Sequence, residues 1–226
     1  MTRVPMGLPW TLAAKHGFGS WRSPGFDEIY GTQAITQFNG AEMMASKYGF
    51  SREQLDAYAY ESHRRAAAAT KEGRFDAEII PLTVTTANGE TVQHQTDEGI
   101  RFDASLERMA SMKTLQEGGV ITAANASQIC DGAAALLVVN ERGLKTLGAS
   151  PLARIHHMTV VGGDPVIMLE APISATRRAL ERCGMQIGDI DLYEVNEAFA
   201  PVPLAWAKAL EADPEKMNVN GGGIAL

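Results

Sequence analysis

The run Ala133-Ala134-Ala135-Leu136-Leu137-Val138-Val139, bounded by Asp131-Gly132 and by Asn140, contains no polar residue. Such a run reads as a strand buried on both faces, which needs a layer above it and a layer below. The segments that follow alternate in type. A helix is predicted from about Glu141 to Leu147, closed by Gly148, then a strand from Leu152 to Val161 and a helix from Ser174 to Cys183 closed by Gly184. Asp191 to Val195 reads as a third strand. It leads at Glu197 into a helix with Pro201 and Pro203 in or near its first turn, where proline is tolerated. Alternating strands and helices predict an α/β layered fold.

Upstream, residues 7 to about 50 mix Gly, Pro, Trp and Phe with little period and read as an irregular loop segment, of the kind that often lies over a ligand. Ser51 and Gln54 form a capping box. The helix they open runs through Ala57, Tyr58, Glu61, Arg64 and Ala68 until Gly73 stops it. Ile79 to Val84 reads as a strand, and the Asn88-Gly89 turn before Thr91-Val92 makes it a hairpin.

The chain has 226 residues, 45% of them hydrophobic and 21% charged, enough for a buried core and one or two domains. A net charge of -7 argues against nucleic acid as a partner. No apolar stretch approaches the roughly 20 residues of a membrane span. The opening Met1-Thr2-Arg3-Val4-Pro5-Met6-Gly7 has neither signal nor transit character, so a cytoplasmic location is expected. Cys130 and Cys183 are expected to be reduced. At the other end, Gly221-Gly222-Gly223 feeds Ile224-Ala225-Leu226 as an interrupted turn and helix start, so a chain cut within a packed element is expected.

Chemistry is concentrated in two stretches. Val195-Asn196-Glu197-Ala198-Phe199-Ala200 lies at a strand-to-helix junction, where ligands gather in α/β folds. Asn196 can hold a water or a carbonyl oxygen there, or equally cap the helix, with Glu197 complementing the helix dipole. The stretch Thr122 to Gly132 is small and polar; it either lets a ligand approach the backbone or forms a tight loop bonded to itself. Gly221 to Gly223 fits no phosphate-loop spacing. Cys130 lies beside Asp131, which disfavours a thiolate, so it and Cys183 are assigned to packing. His156 and His157 would point to opposite faces of a strand, which argues against a shared metal. His63, on a charged helix face, is expected to be solvated, and no partner is assigned to His16 or His94.

In this order the residues resemble the thiolase family over nearly the whole chain. The blocks are Arg3-Val4-Pro5-Met6-Gly7, Tyr48-Gly49-Phe50-Ser51-Arg52-Glu53-Gln54-Leu55-Asp56-Ala57, Gly73-Arg74-Phe75 with Ile79-Ile80-Pro81, and Thr96 to Arg101. Asn125-Ala126-Ser127 with Asp131 to Ala134, Asn196-Glu197-Ala198-Phe199, and Asn218 to Gly222 complete them. The resemblance implies an α/β/α/β/α layered fold, incomplete here, with an inserted α+β loop domain. Residues 1–7 would be a remnant of the N-terminal half, 8–127 the CoA-binding loop domain, 128–150 the end of the N-terminal half, and 151–226 a truncated C-terminal half. It implies an acyl-CoA C-acyltransferase of fatty-acid or related acyl-CoA metabolism, cleaving a 3-ketoacyl-CoA with CoA or condensing acetyl-CoA through an acyl-cysteine.

By the same resemblance, Asn196 orders the water of an oxyanion hole, Ser127 meets the pantetheine arm of CoA, and Phe199 lines the pocket. Lys113 would lie near the nucleotide end. No cofactor is implied, since coenzyme A enters as substrate, and a homodimer or homotetramer is the implied assembly. The nucleophilic Cys, the His and the second Cys of the family would lie outside these residues, so the chain by itself is expected to be inactive. Thr36-Gln37-Phe38-Asn39 lacks the His-Met pair of acetyl-specific biosynthetic members, which favours a degradative role. The alternative is a non-catalytic thiolase-like protein that binds CoA or lipid.

Overall fold

A computed structural model describes residues 7–20 and 22–226; Arg3-Val4-Pro5-Met6 of the expected N-terminal remnant lies outside the described residues. In chain order the helices are α1 (Leu8–His16), α2 (Pro24–Tyr30), α3 (Gln37–Tyr48), α4 (Arg52–Lys71), α5 (Leu106–Ala110), α6 (Glu141–Leu147), α7 (Ala171–Cys183) and α8 (Pro201–Leu210). Strands β1 (Leu82–Thr85) and β2 (Thr91–His94) lie between α4 and α5. Two compact units result, one from Met1–Gln33 with Ile129–Val160, the other from Ala34–Gln128 with Val161–Leu226.

Residues 7 to 50 are not irregular: they form α1, α2 and α3. Their glycines and prolines punctuate short helices. Pro24 and Ser23 open α2, the Ser23 hydroxyl accepting from Phe26 N–H at 3.1 Å, and Thr36 caps α3 in the same way at 3.2 Å. Gly17 and Gly49 close α1 and α3 in the left-handed region, which costs a residue without Cβ little.

The capping box at Ser51 is formed as predicted, with Ser51 Oγ accepting from Gln54 N–H at 3.3 Å and Gln54 Oε1 accepting from Ser51 N–H at 2.9 Å. The helix it opens, α4, is the spine of its unit. One face buries Leu55, Asp56, Ala59, Ser62, His63 and Ala66, the three-and-four spacing of a helix laid on a core. Around it α3 packs on α8, α4 on α5 and α7 on α8. Met44, Leu55, Ile121, Met217 and Ile224 are among the largest fully buried side chains. Each contributes about 1.5–3 kcal/mol by leaving water.

The hairpin is present as predicted, β1 pairing antiparallel with β2 from Leu82–His94 to Thr85–Thr91. It is the one sheet among the described residues and is exposed on both faces. The three strands predicted further on do not form. Residues 133–139 and 152–161 form no strand and pair with nothing, with Leu136 90% and Val160 88% exposed. A strand exists only by bonding a neighbour, and none of the described residues offers these segments one. Residues 191–195 make a single parallel bridge, Tyr193 N–H donating to Lys216 O and Asn218 N–H donating to Tyr193 O, both at 2.9 Å.

Helices α6 and α7 fall where predicted, closed by Gly148 and Gly184. Helix α8 begins at Pro201 and not at Glu197, because residues 195–200 are held by tertiary bonds. Its cap residue, Ala200, has no side-chain oxygen; Pro201 and Pro203 carry no N–H to satisfy, and Ala200 N–H donates to Asn125 O at 2.9 Å.

Candidate active site

Two loops meet edge to edge. Ala126 and Phe199 form an antiparallel bridge, Ser127 N–H donates to Ala198 O at 3.0 Å, and Ala200 N–H returns to Asn125 O at 2.9 Å. This brings Ser127 beside Ala198 and Phe199, with Asn196 at the start of the same turn. Phe199 is 3% exposed and meets Phe38 edge-on at 5.6 Å between ring centroids. Asn196 and Ser127 are exposed. Asn196 Oδ1 lies 3.4 Å from where a Cβ on Gly223 would stand, so the amide lies against the glycine run. It does not cap α8, whose cap is Ala200.

Lys113 is exposed, next to the Thr114–Thr122 bridge that closes the approach to the 122–127 loop. The structure joins Asn196, Ser127 and Phe199 through the paired loops and leaves Lys113 on a separate turn.

Each loop has its own anchor. The Asn125 side chain is fully buried: Oδ1 accepts from Thr122 N–H at 2.8 Å, and Nδ2 donates to Asp56 Oδ1 at 2.9 Å and Val120 O at 3.1 Å. Asp56 is held in turn by Arg52 Nε at 2.6 Å. The loop therefore bonds its own backbone and is also fastened to α4. The Glu42 carboxylate adds bonds from Val120 and Ile121 N–H at 3.0 and 2.9 Å.

Under Asn196 lies Glu197, 1% exposed, which is not a dipole-complementing surface residue. Its carboxylate accepts from Tyr58 Oη and Ser62 Oγ at 2.7 Å each, Asn218 Nδ2 at 2.9 Å and Ile224 N–H at 3.1 Å. A buried acid is tolerable only with donors of this number. Burial and then the Glu197 charge push the Tyr58 phenol well above its ordinary range, so it remains a donor. Burial and the same charge raise the Glu194 carboxyl. Asn218, at φ 48°, substitutes for a strand partner: its Oδ1 accepts from Val195 N–H and its Nδ2 donates to Val195 O, both at 2.8 Å. Sequence reasoning missed this cluster. Its one local signal is that Tyr58 and Ser62 lie four apart on one face of α4.

His63 is also misplaced by the sequence, since it is 4% exposed and not solvated. His156 and His157 are exposed and in no strand. Neither Cys130 nor Cys183 is in a disulfide, Cys130 being exposed. Among the described residues no three His, Cys, Asp or Glu side chains converge, and no helix is long and apolar enough to cross a membrane.

Residues 27–142 match the family described as thiolase, N-terminal domain, and residues 149–226 match thiolase, C-terminal domain. The chain belongs to the thiolase family. Over its full length it is 48% identical to the steroid 3-ketoacyl-CoA thiolase FadA6 of Mycobacterium tuberculosis, covering 54% of that protein. The fold matches the Bacillus anthracis acetyl-CoA acetyltransferase at TM-score 0.81 and 37% identity, over 93% of this chain and 55% of that one. It matches the human mitochondrial 3-ketoacyl-CoA thiolase in complex with CoA at TM-score 0.77 and 41% identity, over 83% and 47%. The fold is thus thiolase-like α/β, and the chain spans about half the length of the curated relatives it matches.

Proposed function

We propose that the protein acts as a thiolase-type acyl-CoA C-acyltransferase, cleaving a 3-ketoacyl-CoA with CoA or condensing acetyl-CoA, in the cytoplasm and as a homodimer or homotetramer. The observation that carries this reading is the pairing of residues 125–127 with 198–200, which sets Ser127 and Phe199 side by side and leaves the Asn196 amide exposed against Gly223. Coenzyme A is a substrate in this scheme.

The Asn196 amide has both a donor and an acceptor, so it can fix a water whose O–H points at a thioester oxygen. As charge develops on that oxygen, a donor already in position needs no reorganisation. Ser127 offers a hydroxyl to the pantetheine arm, Phe199 an apolar wall, and Lys113 a cation for the phosphate-bearing end. Ala123 and Ala124 line a cavity of about 310 Å³ together with His63, Arg101, Met109, Met112 and Ile224. Phe38, where acetyl-specific members would carry the His-Met pair, packs on Phe199, consistent with a degradative enzyme taking bulkier acyl groups.

The thiolate, the histidine and the second thiol are not assigned among these 226 residues. The domain assignment 1–7, 8–127, 128–150 and 151–226 belongs to the same proposal. The test is to express the whole open reading frame that encodes this chain and follow loss of acetoacetyl-CoA and longer 3-ketoacyl-CoA on adding CoA. CoA-dependent cleavage, faster on the longer esters, is the expected result. A protein that binds CoA without turnover would favour the non-catalytic reading.

A further inference from the structure

We infer that Glu197 is a positioning residue for acyl transfer: together with Ser62 it fixes the turn that carries Asn196 against the glycine run, so that the amide is in place before a substrate enters. Resting on the oxyanion role proposed for Asn196, this gives Glu197 no contact with the reacting atoms; it acts through its neighbour.

Burial alternates along residues 195–197, with Val195 and Glu197 buried and Asn196 exposed. Among the described residues no hydrogen bond holds the Asn196 amide itself. Its place is therefore set by the residues on either side. Val195 is locked by Asn218, whose Oδ1 accepts from Val195 N–H and whose Nδ2 donates to Val195 O, both at 2.8 Å. Glu197 is locked by its carboxylate.

The donors to that carboxylate come from α4, Asn218 and Ile224. Tyr58 Oη and Asn218 Nδ2 donate to Oε1 at 2.7 and 2.9 Å, and Ser62 Oγ and Ile224 N–H to Oε2 at 2.7 and 3.1 Å. An apolar side chain could accept none of them, and a fully satisfied buried network specifies one arrangement. The glycine run is bound to the same group. Gly222 N–H donates to Ser62 Oγ at 3.1 Å, and a Cβ on Gly222 would stand 2.7 Å from Glu197 Oε1. A Cβ on Gly221 would meet Ala66 Cβ at 2.7 Å, so the run lies directly on α4. Gly223, between Gly222 and Ile224, is the residue that the Asn196 amide faces, with Oδ1 3.4 Å from a Cβ there. One carboxylate thus sets both sides of that contact.

Helix α4 places the second loop as well. Asp56 accepts from Asn125 Nδ2 at 2.9 Å and so holds the loop that carries Ser127. Asp56, Tyr58 and Ser62 along one rigid helix therefore fix Ser127 and Asn196 relative to each other. A preorganised donor helps only if it already stands where charge develops, and misplacement by about 1 Å from a change outside the chemistry can cost about a hundredfold.

The test is turnover of acetoacetyl-CoA with CoA by the complete protein carrying Ser62→Ala or Glu197→Gln, each alone and together with Asn196→Ala. Each single change should lower kcat about tenfold or more and move KM less than about twofold, since the interaction lost belongs to the transition state. Added to Asn196→Ala, each should lower kcat by less than about twofold, because the group it positions is already gone. Tyr58→Phe, which removes one donor from Oε1 and keeps the ring, gives the same comparison should Glu197→Gln not fold. Equal losses in both backgrounds, or a KM rise with kcat unchanged, would overturn the positioning role. Asn196→Ala with wild-type turnover would instead remove the oxyanion reading, and the positioning is then read by NMR of the 226-residue chain. There the Asn196 side-chain amide signals should shift and broaden with Ser62→Ala; signals that match the parent's would overturn it.

Discussion

The phenol of Tyr58 donates to the Glu197 carboxylate at 2.7 Å, joining the middle of α4 to the turn beneath Asn196 across 139 positions of sequence. Ser62, one turn further along α4, donates to the other carboxylate oxygen and also accepts from Gly222 N–H at 3.1 Å. One helix face thus clamps the Asn196 turn and the glycine run together.

Ser62→Ala should destabilise the fold by about 1–3 kcal/mol, because it leaves Glu197 Oε2 and Gly222 N–H each short of a buried partner. Glu197→Leu should cost more, about 3–5 kcal/mol, since Tyr58, Asn218 and Ile224 N–H all lose an acceptor. Urea unfolding checks both. Wild-type midpoints would deny the clamp.

Gly222→Ala tests the same junction sterically. A Cβ there would stand within 2.7 Å of Glu197 Oε1, and the buried carboxylate has no room to withdraw. A loss of about 1–3 kcal/mol is expected. Gly132→Ala, where a Cβ meets nothing within 4 Å, is the control.

Asn196→Ala separates an oxyanion role from a capping role. In the complete protein it should lower kcat by about a hundredfold or more. Stability of the 226-residue chain should change by less than about 0.5 kcal/mol, because Asn196 caps no helix. A loss near 1 kcal/mol with turnover intact would restore the cap.

Glu170 gives a pH signature. Hydrogen bonds from Lys47 and then Tyr48 hold its carboxyl below the ordinary value of 4.5, and its presence raises the Tyr48 phenol, which burial has already raised, to about 12. A depressed carboxyl stabilises the fold above its unfolded pKa and ceases to as pH falls through the folded one. Glu170→Gln should therefore be less stable than wild type at pH 7, with the difference shrinking below pH 4.5. A gap that is independent of pH would rule out the linkage.

Incubating the 226-residue chain with acetoacetyl-CoA should leave Cys130 and Cys183 unacylated by mass spectrometry. Cys130 sits exposed, next in sequence to the carboxylate of Asp131. Turnover abolished by Cys130→Ser would reverse that assignment.

Local signals fixed much of this chain in advance. The Ser51 box, the Asn88-Gly89 turn, and helices α6 and α7 with their closing glycines were legible because caps and tight turns are satisfied within a few residues. The ordered blocks from Tyr48 to Gly222 carried the family. What the sequence could not decide is where long-range bonds end. Apolar runs at 133–139 and 152–161 have strand composition, but pairing depends on a neighbour's backbone and not on their own residues. Glu197 and His63 look like surface charges on paper and are buried because Tyr58, Ser62, Asn218 and Arg101 are brought to them by folding. Desolvating a polar group becomes tolerable only when distant partners converge on it, and that convergence belongs to the tertiary structure.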